Sequence, residues 1–453
     1  MGKNTDRFGA YHIFSKFSSI IISLIILNGC DTFDSLIGKK PPPPLPGERI
    51  PIMLHERDRT ADPRVSDLQV LLPPPHLNRD WSQSGGTPSH AMHHLKINKS
   101  VSRRWSADVG KGSGKDRRLL ASPIVVGNKV FVTDLESKVT AFDAETGNSI
   151  WHFRPKVPAR DDEAFGGGLA FGSETVFLST GYGRVYALEA KTGKLKWVKK
   201  LRGPMRAPPA VAGGRVFVVT IDNHLIALNA QSGERLWTHA GLAEIAGLLG
   251  GAAPAVDGNT VIVPYSSGEI FAIRAENGRV FWSEALSPAR RIDALATLAH
   301  VRGSPVINRG LVHAISHSGR LVAIDQRSGA RIWERSIGGV ETPWVAGDFI
   351  YLLSNQAEIY CLTRRGGRIR WVRPLPKFED PQDKEGPIKW SGPVLVSDRL
   401  VVTGSHGEAL SISPYSGVPL GRVELPSSIS IAPVVAGGTL YFFTNDAELI
   451  AFR

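Results

Sequence analysis

From about residue 100 onward, apolar and small positions alternate over short stretches that end in a polar turn and a tryptophan. The stretch Val139-Thr-Ala-Phe is typical of a strand, because apolar side chains recur at every second position and a small alanine fits against a close neighbour. Asp143-Ala-Glu-Thr-Gly147 then predicts a hairpin turn, with glycine supplying a positive φ. Trp151 follows in the next predicted strand as a large side chain that can fill the space between two sheets.

This unit repeats along the chain. Five further copies share the turn glycine and the tryptophan four residues later: Gly193 and Trp197, Gly233 and Trp237, Gly278 and Trp282, Gly329 and Trp333, and Gly367 and Trp371. A degenerate copy has Gly417 followed by Gly421 in place of tryptophan, and an eighth copy breaks off at Arg453. Internal repetition at a period of about 40–50 residues indicates a β-propeller.

Each unit also contains two strands upstream of the conserved stretch, the first usually opened by proline, as at Pro209 and Pro254. Four strands per unit predict an all-β fold, an eight-bladed β-propeller of four-stranded antiparallel blades over 79–453. The last unit lacks its tryptophan strand, whereas Val101–Val109 contains such a strand, around Trp105, with no unit before it. We therefore expect this N-terminal strand to complete the last blade and close the ring.

The N-terminal region predicts export and a lipid anchor. Residues 1–29 combine basic positions with a short apolar run from Ile20 to Leu27, which indicates a signal peptide rather than a membrane-spanning helix. Cys30 ends a sequence similar to a bacterial lipobox, so we expect it to be acylated. Residues 30–78, with Pro41–Pro44, are expected to form a disordered tether. Asp31 favours inner-membrane retention in enteric bacteria, which leaves the choice of membrane open at this point.

The formal net charge is +12, which would fit binding to nucleic acids or acidic surfaces. The basic residues are scattered, however, and no basic stripe interleaved with aromatic residues marks a nucleic-acid site. Two cysteines are too few for a disulfide scaffold or a zinc cluster.

The repeat resembles the PQQ-type, quinoprotein alcohol dehydrogenase-like propeller family. Together with the lipobox, the chain resembles the BamB family of lipoproteins of the outer-membrane β-barrel assembly machinery. The resemblance implies a non-enzymatic scaffold without cofactor or metal. It would be lipid-anchored to the outer membrane, face the periplasm, bind the POTRA domains of a BamA-like barrel subunit and aid the insertion of unfolded outer-membrane proteins.

In that family, partner contacts lie on the loops between the third and fourth blades and between the fourth and fifth. Carried onto this sequence, the partner-binding positions are Leu248, Leu249, Ile292, Asp293, Leu295 and Arg302. The charges differ from the family pattern, since Leu249 falls where an arginine is usual, and His300 and Arg302 fall where acidic residues are usual.

Two other functions stay open at this stage. A quinone-dependent dehydrogenase would need the vicinal disulfide of such enzymes, but Cys361 has no adjacent cysteine and is expected to be an inert buried thiol. A carbohydrate-binding propeller would use outward aromatic residues, for which Trp344 and Trp390 are candidates.

The remaining polar motifs are expected to have structural roles rather than catalytic or metal-binding ones. The pairs Ser316-His317 and Ser405-His406 occupy predicted hairpin turns, and neighbouring residues in a turn seldom orient a catalytic triad. His93-His94 is a weak metal motif, and Arg364-Arg365 is expected to be solvated.

Overall fold

The computed structural model describes residues 60–156, 164–244, 247–286 and 300–453. Within these ranges the regular structure is almost entirely β, with one 3-10 helix at Pro63–Val65. No helix among them is long and apolar enough to cross a bilayer. Cys30 and the predicted signal peptide lie outside the described residues.

The strands form eight four-stranded antiparallel sheets, each a blade, and one small hairpin. Strand β1 is Arg103–Asp108. The first four blades contain, from first to last strand, β2 (Ile124–Val126), β3 (Lys129–Thr133), β4 (Val139–Asp143) and β5 (Ser149–Phe153); β6 (Gly167–Gly172), β7 (Thr175–Thr180), β8 (Arg184–Glu189) and β9 (Leu195–Lys200); β10 (Ala210–Ala212), β11 (Arg215–Val219), β12 (His224–Asn229) and β13 (Arg235–Ala240); and β14 (Ala255–Asp257), β15 (Thr260–Pro264), β16 (Glu269–Arg274) and β17 (Val280–Ala285).

The other blades follow the same order. Blades five to eight and the hairpin contain β18 (Val306–Asn308), β19 (Leu311–Ile315), β20 (Leu321–Asp325) and β21 (Arg331–Arg335); β22 (Trp344–Ala346), β23 (Phe349–Leu353), β24 (Glu358–Thr363) and β25 (Ile369–Pro374); the hairpin β26 (Phe378–Asp380) and β27 (Glu385–Pro387); β28 (Trp390–Val396), β29 (Arg399–Gly404), β30 (Glu408–Ile412) and β31 (Pro419–Glu424); and β32 (Val434–Ala436), β33 (Thr439–Phe443) and β34 (Glu448–Phe452).

The last blade is completed by the N-terminal strand, which confirms the expected closure of the ring. Strand β1 pairs antiparallel with β34, and Trp105 lies opposite Ala451. At the same seam, Arg453 donates two hydrogen bonds to the Glu145 carboxylate of the first blade, at 2.7 and 2.8 Å. With β1 as its outer strand, the last blade has four strands like the other seven.

Consecutive blades are locked by an indole and a glycine. Trp197 of blade two donates its Nε1–H to the carbonyl of Ala230 in blade three, at 3.1 Å. Gly233, in the same turn, lies so close to the Trp197 ring that a methyl group at this position would come within 2.7 Å of the ring. The seven indoles that donate to the next blade in this way are Trp105, Trp151, Trp197, Trp237, Trp282, Trp333 and Trp371.

The absence of a tryptophan from the seventh copy has a structural reason. Its outer strand has Gly421 at the tryptophan position, with no other residue within 4 Å of a methyl group placed there. The eighth blade joins β34 and β1 from opposite ends of the chain, so it has no turn between its third and outer strands. An indole at 421 would therefore have neither the turn carbonyl nor the turn glycine to contact.

Every outer strand has a bulge directly before the tryptophan position. In blade three, Ala227 pairs with Trp237 and Leu228 with Arg235, so Leu236 is the extra residue. A bulge bends and twists an exposed edge and makes it a poorer template for another strand. The extra residues, in chain order, are Arg104, Ile150, Lys196, Leu236, Phe281, Ile332, Arg370 and Leu420.

Residues 76–97, here called the mouth loop, circle one end of the central channel. The loop closes on itself, since His76 N–H donates to His94 O and Lys96 N–H to His76 O, both at 2.9 Å. It contacts an inner strand or its following turn in all eight blades. The hydrogen-bonded pairs are Trp81–Val125, Ser82–Phe171, Gln83–Val211, Pro88–Val256, Ser89–Ile307, His93–Trp344, Leu95–Leu395 and Asn78–Gly437.

The described part of the predicted tether, 60–78, lies against the ring. Asp62 N–H donates to Ile369 O at 2.8 Å, and the Arg370 guanidinium donates to Leu68 O at 2.7 Å. Val70 is buried in the largest apolar cluster of the protein. The chain thus reaches the mouth loop by crossing blade six.

Arg364 departs from the expectation of a solvated side chain. It is only 1% exposed, and its guanidinium donates to Gly347 O at 3.1 Å and to the Asp348 carboxylate at 3.2 Å. Its own carbonyl accepts the Trp333 indole. The arginine is buried because it fills the junction between blades five and six.

The indole–glycine lock predicts a difference between two glycines of blade three. Gly233→Ala and Gly214→Ala both place alanine at a φ near +73°, but only the first clashes with an indole, since the space around Gly214 is open. The strained backbone should cost about 1–2 kcal/mol in each variant. The clash should lower the free energy of unfolding of Gly233→Ala by about a further 1–3 kcal/mol. Urea unfolding measures both, and equal losses would contradict the lock.

Candidate functional site

The described parts of the two loops predicted to bind a partner meet on one face of the ring. This connector face carries the segments that join the outer strand of one blade to the inner strand of the next. A cleft of about 450 Å³ lies between blades three and four, lined by Glu244, Gly247 and Leu248 of the first loop and by His300 and Val301 at the end of the second. Ile292, Asp293 and Leu295 lie outside the described residues, so their placement stays a prediction.

Asn223, in the turn between β11 and β12, holds the start of the first loop. Its carbonyl accepts the Gly241 N–H at 2.8 Å, and its side-chain amide donates to Leu242 O at 2.5 Å. The side-chain oxygen also accepts the N–H and the hydroxyl of Ser266 from blade four, at 3.1 and 2.9 Å. One buried amide therefore fixes the loop and links two blades.

The two loops are joined by His300. Its Nδ1 accepts the Leu248 N–H at 2.9 Å, so this nitrogen is unprotonated and the ring is neutral. Burial lowers the pKa of His300 to about 4, and the positive charges of Arg302, His317 and Arg206 act in the same direction. The neutral ring needed by the hydrogen bond is thus the form that the surroundings favour at pH 7.

Arg302 points inward from the second loop. Its guanidinium lies 3.5 Å from the Glu341 carboxylate, which also accepts the Gly392 N–H at 3.2 Å. Burial raises the pKa of Glu341, although the charge of Arg302 opposes the shift. Arg302 is therefore partly engaged within the ring, at the boundary between the cleft and the central channel.

The first loop offers apolar side chains beside the charged groups of the cleft. Leu248 lines the cleft and is half-buried, whereas Leu249 and Leu242, elsewhere on the loop, are 46% and 65% exposed. Arg206, Asp222 and Glu244 line the same cleft. An exposed apolar patch with a charged rim is the arrangement that protein interfaces use.

Sequence reasoning missed the contribution of blade three to this face. Ile221 is exposed in the turn between β11 and β12, next to Asp222 and Asn223, and all three line the cleft. The sequence feature that could have revealed this contribution is Ile221 itself, an isoleucine in a hairpin turn where two other repeats have Gly181 and Ser266.

Other polar residues singled out in the sequence form hydrogen bonds within the fold. His94 bonds Pro73 O through Nδ1 at 2.8 Å and accepts the Asp398 N–H through Nε2 at 3.0 Å. The Ser316 hydroxyl donates to Leu286 O, and the Ser405 hydroxyl accepts the Lys389 N–H. Among the described residues, no group of three or more His, Cys, Asp or Glu side chains is arranged to hold a metal ion.

The aromatic candidates for sugar binding are buried. Trp344 donates its indole N–H to His93 O at 2.6 Å, and Trp390 donates to Pro376 O at 2.8 Å. Cys361 is a buried free thiol opposite Trp371, and burial raises its pKa, so the thiolate is disfavoured.

The lowered pKa of His300 predicts an acid effect on stability. Between about pH 6.5 and 4 the unfolded chain binds a proton at this residue that the folded protein does not, so the free energy of unfolding falls as the pH falls. His300→Gln should make this fall shallower by up to about 1.4 kcal/mol per pH unit. His152→Gln, on an exposed position of β5, is the control. Urea unfolding at several pH values tests this, and identical slopes for wild type and His300→Gln would refute it.

A family model and a relative of known name point to the same family for this chain. Residues 96–161 and 135–373 match a family model described as "Outer membrane protein assembly factor BamB". The chain is 29% identical over 359 residues to a protein of that name from Yersinia pestis, covering 78% of this chain and 89% of the relative.

Solved structures share the fold. BamB from Moraxella catarrhalis superposes with a TM-score of 0.67 at 19% identity, covering 78% of this chain and all of that one. Quinohemoprotein alcohol dehydrogenase from Comamonas testosteroni superposes with a TM-score of 0.62 at 15% identity, covering 82% of this chain and 80% of that one. At these identities both likenesses establish the propeller and nothing about chemistry.

Proposed function

The chain belongs to the BamB family of outer membrane protein assembly factors, and from that premise we propose that it is a scaffold subunit of the outer-membrane β-barrel assembly complex. In this proposal Cys30 carries the lipid anchor after removal of residues 1–29. The ring faces the periplasm and binds POTRA domains of a BamA-like barrel subunit. It has no enzymatic activity of its own, and it aids insertion of outer-membrane proteins.

The observation that carries the proposal is the cleft between blades three and four. It lies between the described parts of the two loops that the family resemblance singles out and is lined by Leu248, and the exposed Leu242 and Leu249 belong to the same first loop. Asn223 and His300 fix the described loop ends before any partner arrives, so little ordering entropy remains to be lost on binding. A preformed apolar site suits a folded domain as partner.

The charges on the cleft suit a partner with both acidic and basic groups. Arg206, Asp222 and Glu244 all line it. Complementary charges would orient the partner, and burial of the exposed leucines would add affinity. The proposed contacts are Leu248, Leu249 and Arg302, together with Ile292, Asp293 and Leu295.

A dehydrogenase function has less support. Cys361 is buried without an adjacent cysteine, and the likeness to quinohemoprotein dehydrogenases is one of fold alone. Client binding through strand edges is also weakly supported, since every outer edge carries a bulge.

Leu249→Asp should weaken capture of the barrel subunit about tenfold or more, because a buried carboxylate without a partner opposes an apolar contact. The matched control is Leu236→Asp, since Leu236 is 44% exposed on the outer strand of the same blade, away from the cleft. The measurement is pulldown of the barrel-assembly subunit from detergent-solubilised envelopes with the full-length protein. Unfolding by urea should be unchanged in both variants.

Failure to recover the subunit with the wild-type protein would contradict the proposed function. Equal capture by Leu249→Asp and wild type, with a different face sensitive to mutation, would refute the assigned surface alone.

A further inference from the structure

The face opposite the connector face carries the turns that join the first to the second strand, and the third to the outer strand, of each blade. The mouth loop lies at this turn face. In the first turn of blade seven, Ser397 N–H donates to Leu95 O at 2.9 Å. In the first turn of blade one, Gly127 N–H donates to the Asp80 carboxylate at 3.0 Å. The turn face is therefore made of blade turns and of the chain that leads into and through the mouth loop.

The chain enters the described part of the structure on the same face. Asp62 N–H donates to Ile369 O at 2.8 Å, directly after the turn between the third and outer strands of blade six. Residues 31–59 separate this region from Cys30, which carries the lipid anchor in the proposed function. A segment of that length spans at most about 100 Å, so the anchor would keep the turn face within reach of the bilayer.

The turn-face patch, here defined as 62–80, 94–99 and the turns of blades six to eight, exposes apolar side chains. Leu71 is 67% exposed beside the first turn of blade six, and Leu77 is 55% exposed beside the first turn of blade eight. Val418, in the turn before the outer strand of blade seven, is 52% exposed. Large apolar side chains exposed at the turns of neighbouring blades indicate an interaction surface.

Four exposed cations lie among these apolar side chains: Arg79 and Lys96 in the mouth loop, Lys99 directly after it, and Arg365 in the turn before the outer strand of blade six. Lys99 O accepts a hydrogen bond from the Arg399 guanidinium at 3.3 Å, which places Lys99 beside the first turn of blade seven. None of the four side chains forms an ion pair or a hydrogen bond with another described residue. Their charges are therefore available to a partner.

Most carboxylates of the turn-face patch are already engaged. The pairs are Asp62 with Arg64, Asp348 with Arg364, and Asp398 with Tyr415. Asp67 and Asp80 are exposed without a cationic partner among the described residues. The available cations thus outnumber the available carboxylates, and the patch attracts an anionic surface.

The composition of the patch fits a lipid surface better than a folded protein. Lysine is depleted in protein interfaces, whereas basic residues around apolar side chains bind anionic bilayers through both charge and apolar insertion. The apolar side chains also project from separate turns, and each can enter a fluid headgroup layer independently of the others.

We propose that the turn-face patch docks on an anionic phospholipid bilayer. Leu71, Leu77 and Val418 enter the headgroup region, and the four cations contact lipid phosphates. The inference rests on the lipid anchor of the proposed function and adds to it, because the anchor fixes one end of the chain but not the orientation of the ring. Docking turns the connector face, with its partner cleft, away from the bilayer.

The test uses the full-length, processed lipoprotein reconstituted in vesicles with an energy-transfer acceptor on the lipid headgroups. A fluorophore is attached to Ser416→Cys, in an exposed turn of blade seven on the turn face. A second preparation carries it on Gln356→Cys, in the exposed turn between β23 and β24 on the connector face. Cys361 is buried and should not be labelled.

The lipid composition separates docking from anchoring. In vesicles of phosphatidylcholine with about 30% phosphatidylglycerol, energy transfer should be stronger from position 416 than from position 356. Pure phosphatidylcholine, or salt at about 0.5 M, should reduce transfer from position 416 by about half or more and change transfer from position 356 little, because charge attraction is removed or screened.

Variants test the charges and the apolar contacts separately. Lys96→Gln combined with Lys99→Gln should lower the ratio of docked to undocked protein about tenfold or more, since each basic residue contributes about a factor of five. Leu71→Gln should lower it about three- to tenfold. Lys111→Gln combined with Lys115→Gln is the matched control and should have no effect. It removes the same charge from exposed positions between β1 and β2, on the connector face.

Equal transfer from the two positions in anionic vesicles, or equal effects of the two lysine pairs, would overturn the proposal and leave the patch to an acidic protein. Flotation with phosphatidylcholine vesicles measures the anchor by itself. Loss of that flotation would contradict the lipid anchor on which docking rests, whereas flotation without a difference between the positions would contradict docking alone. Thermal unfolding checks that each variant folds, and capture of the barrel subunit is measured independently.

Discussion

The contact between an indole and the turn glycine of the next blade is the constraint on which the rest of the structure depends. Each lock combines one hydrogen bond with a close approach that only glycine permits, as at Trp197 and Gly233. Seven such contacts fix the angle between neighbouring sheets, and with it the number of blades that close the circle. The eighth junction has no turn to receive an indole, and Gly421 stands there instead.

The rigid ring determines what its loops can do. Because the inner strands are fixed, the segments leading into them present the cleft at constant geometry. Asn223 and His300 extend this rigidity into the partner loops through hydrogen bonds to backbone groups. The mouth loop adds a second constraint, since it forms hydrogen bonds to all eight blades.

The sequence predicted the blades well because tryptophan, glycine and proline recur at fixed spacing, and each has a local physical role. The mouth loop was not predictable, since it has no period and bonds largely through backbone groups. Arg364 was misjudged because its burial depends on the neighbouring blade. The partner loops were placed by resemblance, but Asn223 could not be found, since its role requires two blades to be side by side. Cys30, Ile292, Asp293 and Leu295 remain predictions.

Native-state hydrogen exchange at the seam tests the central claim most directly. If the locks make the ring one cooperative unit, the amides of β1 and β34 will exchange with the same opening free energy as those of β11 and β12, in the middle of the ring. Opening of the seam at a free energy lower by about 2 kcal/mol or more, while the other blades stay protected, would show that strand pairing alone closes the circle.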